Sequence, residues 1–183
     1  MQAELATSAA RAEELDSLVR FEVRDANHLR PDAETFDVVW VIECSEHLAD
    51  KARCIDSCAR ALRPGGVLAL CAWLAADDMS APGHARLVDQ VCQGMLCPQL
   101  ASRRDYTGWM RQSGFTHVEA DEITRNVEET WTRCALIASR PEIKALLRVL
   151  GEPTRRFVGA FAAIRQAYAE GAMAYGMFTA VKP

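Results

Sequence analysis

The arrangement that most restricts this chain lies in residues 36–73. Phe36 to Ile42 (FDVVWVI) is apolar at every position after Asp37, and Val67 to Trp73 (VLALCAW) is apolar throughout. Between them Cys54, Ile55, Cys58, Ala59 and Leu62 recur at the helical period. Asp50 stands where a helix cap belongs. Pro64-Gly65-Gly66 stands where the helix must stop, because Pro cannot continue it and Gly accepts a positive φ. Two strands that are hydrophobic on both faces, joined through a helix, predict a right-handed β-α-β unit inside a parallel sheet covered by helices.

The rest of the chain punctuates itself less sharply. Glu4 to Leu18 is rich in helix formers, and Val19 to Val23 (VRFEV) alternates like a short strand before the turn-forming Arg24-Asp25-Ala26-Asn27. A polar loop over Asp77 to Gly83 precedes a helix over His84 to Met95, and Leu96 to Ala101 reads as loop around Pro98. Ser102 followed by Asp105 marks a helix start, Tyr106, Trp109 and Met110 supply its apolar face, and Gly114 ends it. Phe115 to Ile123 reads as a strand. Val127, Trp131, Cys134, Ala135 and Ala138 trace a helical stripe that stops before Pro141. Helices over about Glu142–Leu150 and Arg155–Ala169 and a strand over Met173–Val181 close the chain.

Composition removes several functions. Among 183 residues half are apolar and a quarter are charged, with a formal net charge of −4. Without a basic excess to neutralise phosphates, no nucleic-acid partner is expected. The longest apolar run, Val67 to Ala76, is too short to cross a bilayer, and no charged segment followed by an apolar one opens the chain. No membrane partner and a cytoplasmic location are therefore expected. The seven cysteines lack any C-x-x-C pair and read as reduced, mostly buried thiols. Cys54 and Cys58 share a helix face with Ile55 and Leu62, so small buried apolar groups are the plainer reading, and no metal is expected.

Two places carry candidate chemistry. Phe36–Ile42 runs straight into Glu43-Cys44-Ser45-Glu46-His47, and in open α/β sheets ligands gather beyond the carboxyl ends of the strands. Two carboxylates and an imidazole there can accept a proton, orient a donor group or hold a cation. The bland alternative is an ordinary polar loop. Asp25, just past VRFEV, can accept hydrogen bonds from an exocyclic amine or a hydroxyl; its alternative is a turn residue bonded to its own backbone. His28, His84 and His117 are isolated, and no G-x-S-x-G, H-E-x-x-H, Walker or G-x-G-x-x-G motif occurs, which disfavours a dinucleotide-dependent oxidoreductase.

Together the stretches VRFEVRDA, FDVVWVIECSEHLADK and ALRPGGVLALCAWL resemble the class I S-adenosylmethionine-dependent methyltransferases, and within them the γ-tocopherol methyltransferase-like enzymes with related plant alkaloid N-methyltransferases nearby. The likeness runs through Met95-Leu96-Cys97-Pro98, Tyr106 to Phe115 and Gly171 to Pro183, nearly the whole chain. It implies an α/β fold, a Rossmann-like methyltransferase sheet with helices on both faces. It also implies S-adenosylmethionine as cofactor and a small-molecule acceptor. Asp25 and Ala26 would contact the adenine and Glu43 the methionine end. Glu46 and His47 would face the acceptor, orienting it and helping remove its proton. Residues 1–183 would form one domain, with about 75–114 and 124–170 giving acceptor-covering and C-terminal helices, and Trp73, Met79 and Met95 as apolar lining or core.

The departure from the family is as informative. Members begin with a strand, a Gly-rich loop, a helix and a second strand, whereas this sequence has no G-x-G and its Met1 falls just after where the second strand should end. In the family strand order 3-2-1-4-5-7-6, the absent strands separate VRFEV from FDVVWVI. The resemblance therefore implies a sheet without its first strands and Gly-rich loop, and an open apolar edge, an aggregation hazard. Three arrangements answer it: VRFEV pairs directly with FDVVWVI, a second copy covers the edge in a homodimer, or the natural protein is longer. Two functions stay open, methyl transfer by in-line attack on a sulfonium methyl, and a non-catalytic remnant acting as a binding or dimerisation module. Whether these residues alone are an enzyme is left undecided by the sequence.

Overall fold

The computed structural model describes residues 1–183. Its centre is the predicted β-α-β unit: β1 (Phe36–Ile42), α2 (Lys51–Ala61) and β2 (Leu62–Ala75), preceded by α1 (Gln2–Ala12). Asp50 caps α2 by accepting the Arg53 N–H at 2.9 Å. The stop signal lies inside β2. Leu62 pairs with Phe36 and Val67 with Val38, so Arg63 to Gly66 are looped out of the ladder. Gly65 takes φ +79° there, and a Cβ on Gly66 would lie 2.9 Å from the Arg63 carbonyl oxygen and 3.1 Å from that of Asp37. Only glycine allows that approach.

After β2 come α3 (His84–Met95), β3 (Ala101–Ser102), α4 (Arg103–Gln112), β4 (Thr116–Glu122), α5 (Thr124–Ala138), α6 (Pro141–Val149), α7 (Glu152–Ala169) and β5 (Met173–Val181). The Ser102–Asp105 pair forms a reciprocal capping box on α4. The sheet order is β1-β2-β5-β4, with β3 beside the far end of β2. β1 and β2 are parallel, and β5 runs antiparallel to both β2 and β4. This is the 4-5-7-6 half of the expected strand order, and the fold is the expected Rossmann-like one.

Coverage of the sheet departs from expectation. On one face Val41, Leu68, Leu70, Ala72, Leu74, Phe178 and Ala180 pack with Ile55 and Cys58 of α2 and Tyr106 and Met110 of α4. On the other, Trp73, Met173 and Tyr175 pack under α3, α7 and part of α5, at the carboxyl end of β2 only. The remainder of that face is open, so β1 is a sheet edge with Phe36, Val38, Trp40 and Ile42 exposed, Trp40 at 71%. The expected helices on both faces are thus present over part of the sheet.

Two N-terminal expectations fail. The helix reaches Ala12, not Leu18: Glu14 turns left-handed at φ 57°, and its N–H and that of Leu15 close on the Arg11 and Ala10 carbonyls. Leu15 and Leu18 stay exposed, so no apolar contact rewards another turn. VRFEV is not a strand, and Val23 is 87% exposed. Alternation supplies side chains, but a strand exists only where a neighbouring backbone completes its ladder. The arrangement in which VRFEV pairs directly with β1 is overturned, because β1 pairs only with β2.

Candidate active site at the carboxyl end of the sheet

The Glu43 N–H extends the β1 ladder onto the Cys71 carbonyl at 3.0 Å, and Glu43 itself takes φ 48°. That left-handed residue turns the chain out of the sheet into a 3-10 turn over Ser45–His47. A non-glycine held there carries strain of the kind found at functional sites. Ser45 is fully buried and shares a 2.7 Å hydrogen bond with the Tyr106 hydroxyl, which pins the turn to α4. Lys51, 2% exposed, donates to the Leu48 carbonyl at 2.7 Å and the Glu46 carbonyl at 3.3 Å, which closes the turn from the other side. Burial holds its ammonium below the ordinary lysine range.

The structure brings Glu43, Glu46 and His47 to one place in different states. Glu43 is exposed, and its Oε1 accepts from the Tyr175 hydroxyl on β5 at 3.0 Å. Burial, with the Glu43 hydrogen bond and charge, pushes the Tyr175 hydroxyl well above its usual range. Glu46 is 0% exposed, and neither of its carboxyl oxygens has a hydrogen-bond partner. Burial pushes its carboxyl above the usual range and the Glu43 charge adds to that, while the nearby backbone N–H groups of Glu46 itself and Trp73, too poorly placed for full hydrogen bonds, and a charge on His47 oppose it. His47 is exposed, with its Nδ1 3.5 Å from the Cys97 sulfur and its ring edge-on to Trp73, centroids 6.4 Å apart. Trp73 in turn stands edge-on to Trp131 at 5.5 Å.

Asp25 meets its alternative reading. It caps a 3-10 turn over Ala26–His28, accepting the Asn27 N–H at 2.9 Å, the Asn27 side-chain amide at 3.1 Å and His28 Nδ1 at 2.7 Å. The His28 bond first, then the Asn27 bonds, hold its carboxyl down to about 2. Ala26 is half-buried against the core under α2. This turn is nonetheless stitched to the candidate site, since the Ala49 N–H reaches Asn27 Oδ1 at 3.4 Å. Trp73 and Met95 are buried core, and Met79 packs on the same cluster.

Sequence reasoning passed over Tyr175, Cys97, Lys51, Tyr106 and Asn27 as site residues. Only Lys51 and Asn27 lie near the motif they serve; the other three reach it across folded distance. A cavity of about 580 Å³ lies elsewhere, between Arg20–Asp32, the open side of β1 and α2. A second, of about 240 Å³, opens between the end of β2, Tyr168 and Met173. No group of three or more His, Cys, Asp or Glu side chains is placed to share a metal ion. No helix is long and apolar enough to cross a membrane.

Residues 1–70 match the family model described as a methyltransferase domain. The chain is 31% identical over 184 residues to the 27-O-demethylrifamycin SV methyltransferase of Amycolatopsis mediterranei (strain S699), covering 100% of this chain and 65% of that one. It is 26% identical over 190 residues to the chloroplastic tocopherol O-methyltransferase of Arabidopsis thaliana, covering 100% and 54%. The chain therefore spans between about half and two thirds of these relatives' lengths. Its fold matches a geranyl diphosphate methyltransferase solved in complex with SAM, at TM-score 0.80 and 21% identity, over 100% of this chain and 65% of that one. It also matches a putative sarcosine dimethylglycine methyltransferase from Galdieria sulphuraria, at TM-score 0.85 and 13% identity, over 99% and 65%.

Proposed function

We propose that this chain, a relative of the class I S-adenosylmethionine-dependent methyltransferases, serves methyl transfer to a small-molecule acceptor. The observation that carries the reading is the acid, acid and imidazole segment at the carboxyl end of β1, with the Glu46 carboxyl buried and both its oxygens unpartnered. Leaving a buried polar group unpaired costs about 1–3 kcal/mol. Such a cost is at home where a proton acceptor must be kept away from water.

S-adenosylmethionine, when bound, supplies a sulfonium methyl, an electrophile that needs no further activation. The residues fit this cofactor in part. Glu43 is open and steadied by Tyr175. Asp25 already takes three donors from its own turn, which leaves about one of a carboxylate's four lone-pair sites for an adenine amine. The chain's own residues then align the acceptor and take its proton. Glu46, its carboxyl raised above the usual range by burial, is the base, and His47 orients the acceptor at the solvent side. The Lys51 ammonium beside Glu46 is spent on two carbonyls and is not free to balance an anionic acceptor. The acceptor is a neutral or cationic molecule bearing a hydroxyl or an amine. We place all of residues 1–183 in one domain, with about 75–114 and 124–170 contributing acceptor-covering and C-terminal helices, in the cytoplasm, where seven free thiols stay reduced.

Calorimetry with S-adenosylmethionine and with its demethylated product tests binding by the chain itself. In a methyl-transfer assay Glu46→Gln and His47→Ala should each lower turnover, for the base by about 10²–10⁴-fold. Unchanged transfer in both variants rejects these roles. The second reading is a non-catalytic dimerisation module, and the open β1 edge with Phe36, Val38, Trp40 and Ile42 exposed favours it. In it a second copy pairs with that edge. A monomer by light scattering, together with tight cofactor binding, counts against it.

A further inference from the structure

The one hydrogen-bonding contact made by the His47 imidazole is to a cysteine thiol, and the fold goes to some length to put it there. α3 ends at Leu96, a non-glycine in the left-handed region at φ 57°, with its side chain 83% exposed. The reversal closes with the Cys97 N–H on the Cys92 carbonyl at 2.9 Å and drives Cys97 inward to 6% exposure. Its sulfur then lies 3.5 Å from His47 Nδ1, while Trp73 stands against the ring and His47 remains exposed.

We propose that Cys97 is a positioning residue that sets the tautomer of His47: its thiol donates to Nδ1, so the imidazole presents an Nε2–H to the site. A thiol sulfur is a weak acceptor, whereas the imidazole lone pair is a good one, so S–H to N is the stronger of the two ways to make this contact. The competing acceptor, the Met95 carbonyl, is farther from the sulfur at 3.8 Å. The thiol keeps its proton for this purpose, since burial, with the charges of Cys92 and Glu46, pushes it up to about 12. In a histidine the bond made by one ring nitrogen fixes the state of the other.

The consequence divides labour at the site. An Nε2–H can donate to an acceptor's oxygen or nitrogen and hold it in line, but it cannot take the acceptor's proton. That proton goes to a carboxylate, and Glu46 is the one without a partner. The catalytic meaning rests on the methyl-transfer reading, whereas the tautomer does not.

The test is a long-range proton–nitrogen correlation spectrum of the whole nitrogen-15-labelled chain, with His47 assigned through His47→Gln. The wild type should show His47 as the Nε2–H tautomer. Cys97→Ala should move its nitrogen shifts toward those of a free imidazole mixture, and Cys97→Ser should bring them back. An Nδ1–H tautomer in the wild type overturns the assignment, and that spectrum decides even where Cys97→Ala fails to fold. Shifts unchanged in a folded Cys97→Ala chain overturn it as well. Loss of methyl transfer being absent in His47→Ala, with the tautomer as stated, would instead fault the functional reading.

Discussion

Asp25 and Glu46 sit in two short turns joined by a hydrogen bond, yet they end in opposite electrostatic states. Asp25 is exposed, takes three donors from its neighbours and is held down to about 2. Glu46 is sealed in, makes no well-formed hydrogen bond through its carboxyl and is pushed up. The same functional group is settled in one turn and unsettled in the other. A carboxyl whose needs are met locally is a structural element, and one whose needs are unmet points to a task that a bound molecule completes.

Glu46→Gln probes the unsettled side most strongly, and its largest effect is a loss of transfer of about 10²–10⁴-fold. The same substitution should make the protein more stable at neutral pH, because a neutral amide, though itself left unpaired, does not incur the cost of burying a charge. The pH dependence gives the sign. A raised carboxyl means that the native state holds its proton longer than the unfolded chain does, so wild-type stability falls as pH rises above the ordinary glutamate range. Urea unfolding from pH 4 to pH 8 should show that decline in the wild type and its absence in Glu46→Gln. Parallel curves would end the contrast.

Smaller effects sharpen it. Tyr175→Phe removes the hydroxyl that donates to Glu43 at the open side of the site, and should cost about 1 kcal/mol in the same measurement. Asp25→Asn should have the least effect of all. Its lowered carboxyl contributes stability above the ordinary aspartate range and loses it as pH falls through about 2, so the variant and the wild type should converge in acid. Because that carboxylate is fully exposed, the difference at pH 7 should be smaller than that of Tyr175→Phe, read as a shift in melting temperature. A larger loss for Asp25→Asn than for Tyr175→Phe would reverse the ranking of the two turns.

What the sequence disclosed divides along the same line. β1, the Asp50 cap, the Ser102–Asp105 box, α3 and β5 were legible because each is specified by a run of adjacent residues, and their observed bounds agree with it. VRFEV misleads because alternation is only half of a strand; the other half is a neighbour that no local pattern supplies. At the site, the places of Glu43, Glu46 and His47 were legible from the strand that delivers them. Their states were not. Tyr175 is 132 residues from Glu43, Cys97 is 50 from His47 and Tyr106 is 61 from Ser45, so those partners exist only once the chain has folded.

The buried ammonium of Lys51 has a mechanical consequence. It is the first residue of α2, and it grips the carbonyls of Glu46 and Leu48 from inside the protein. The turn that bears Glu46 is held inward while that grip lasts. For the turn to open and expose Glu46, those two bonds must break or the start of α2 must move with it, so turn and helix are latched together by a single ammonium.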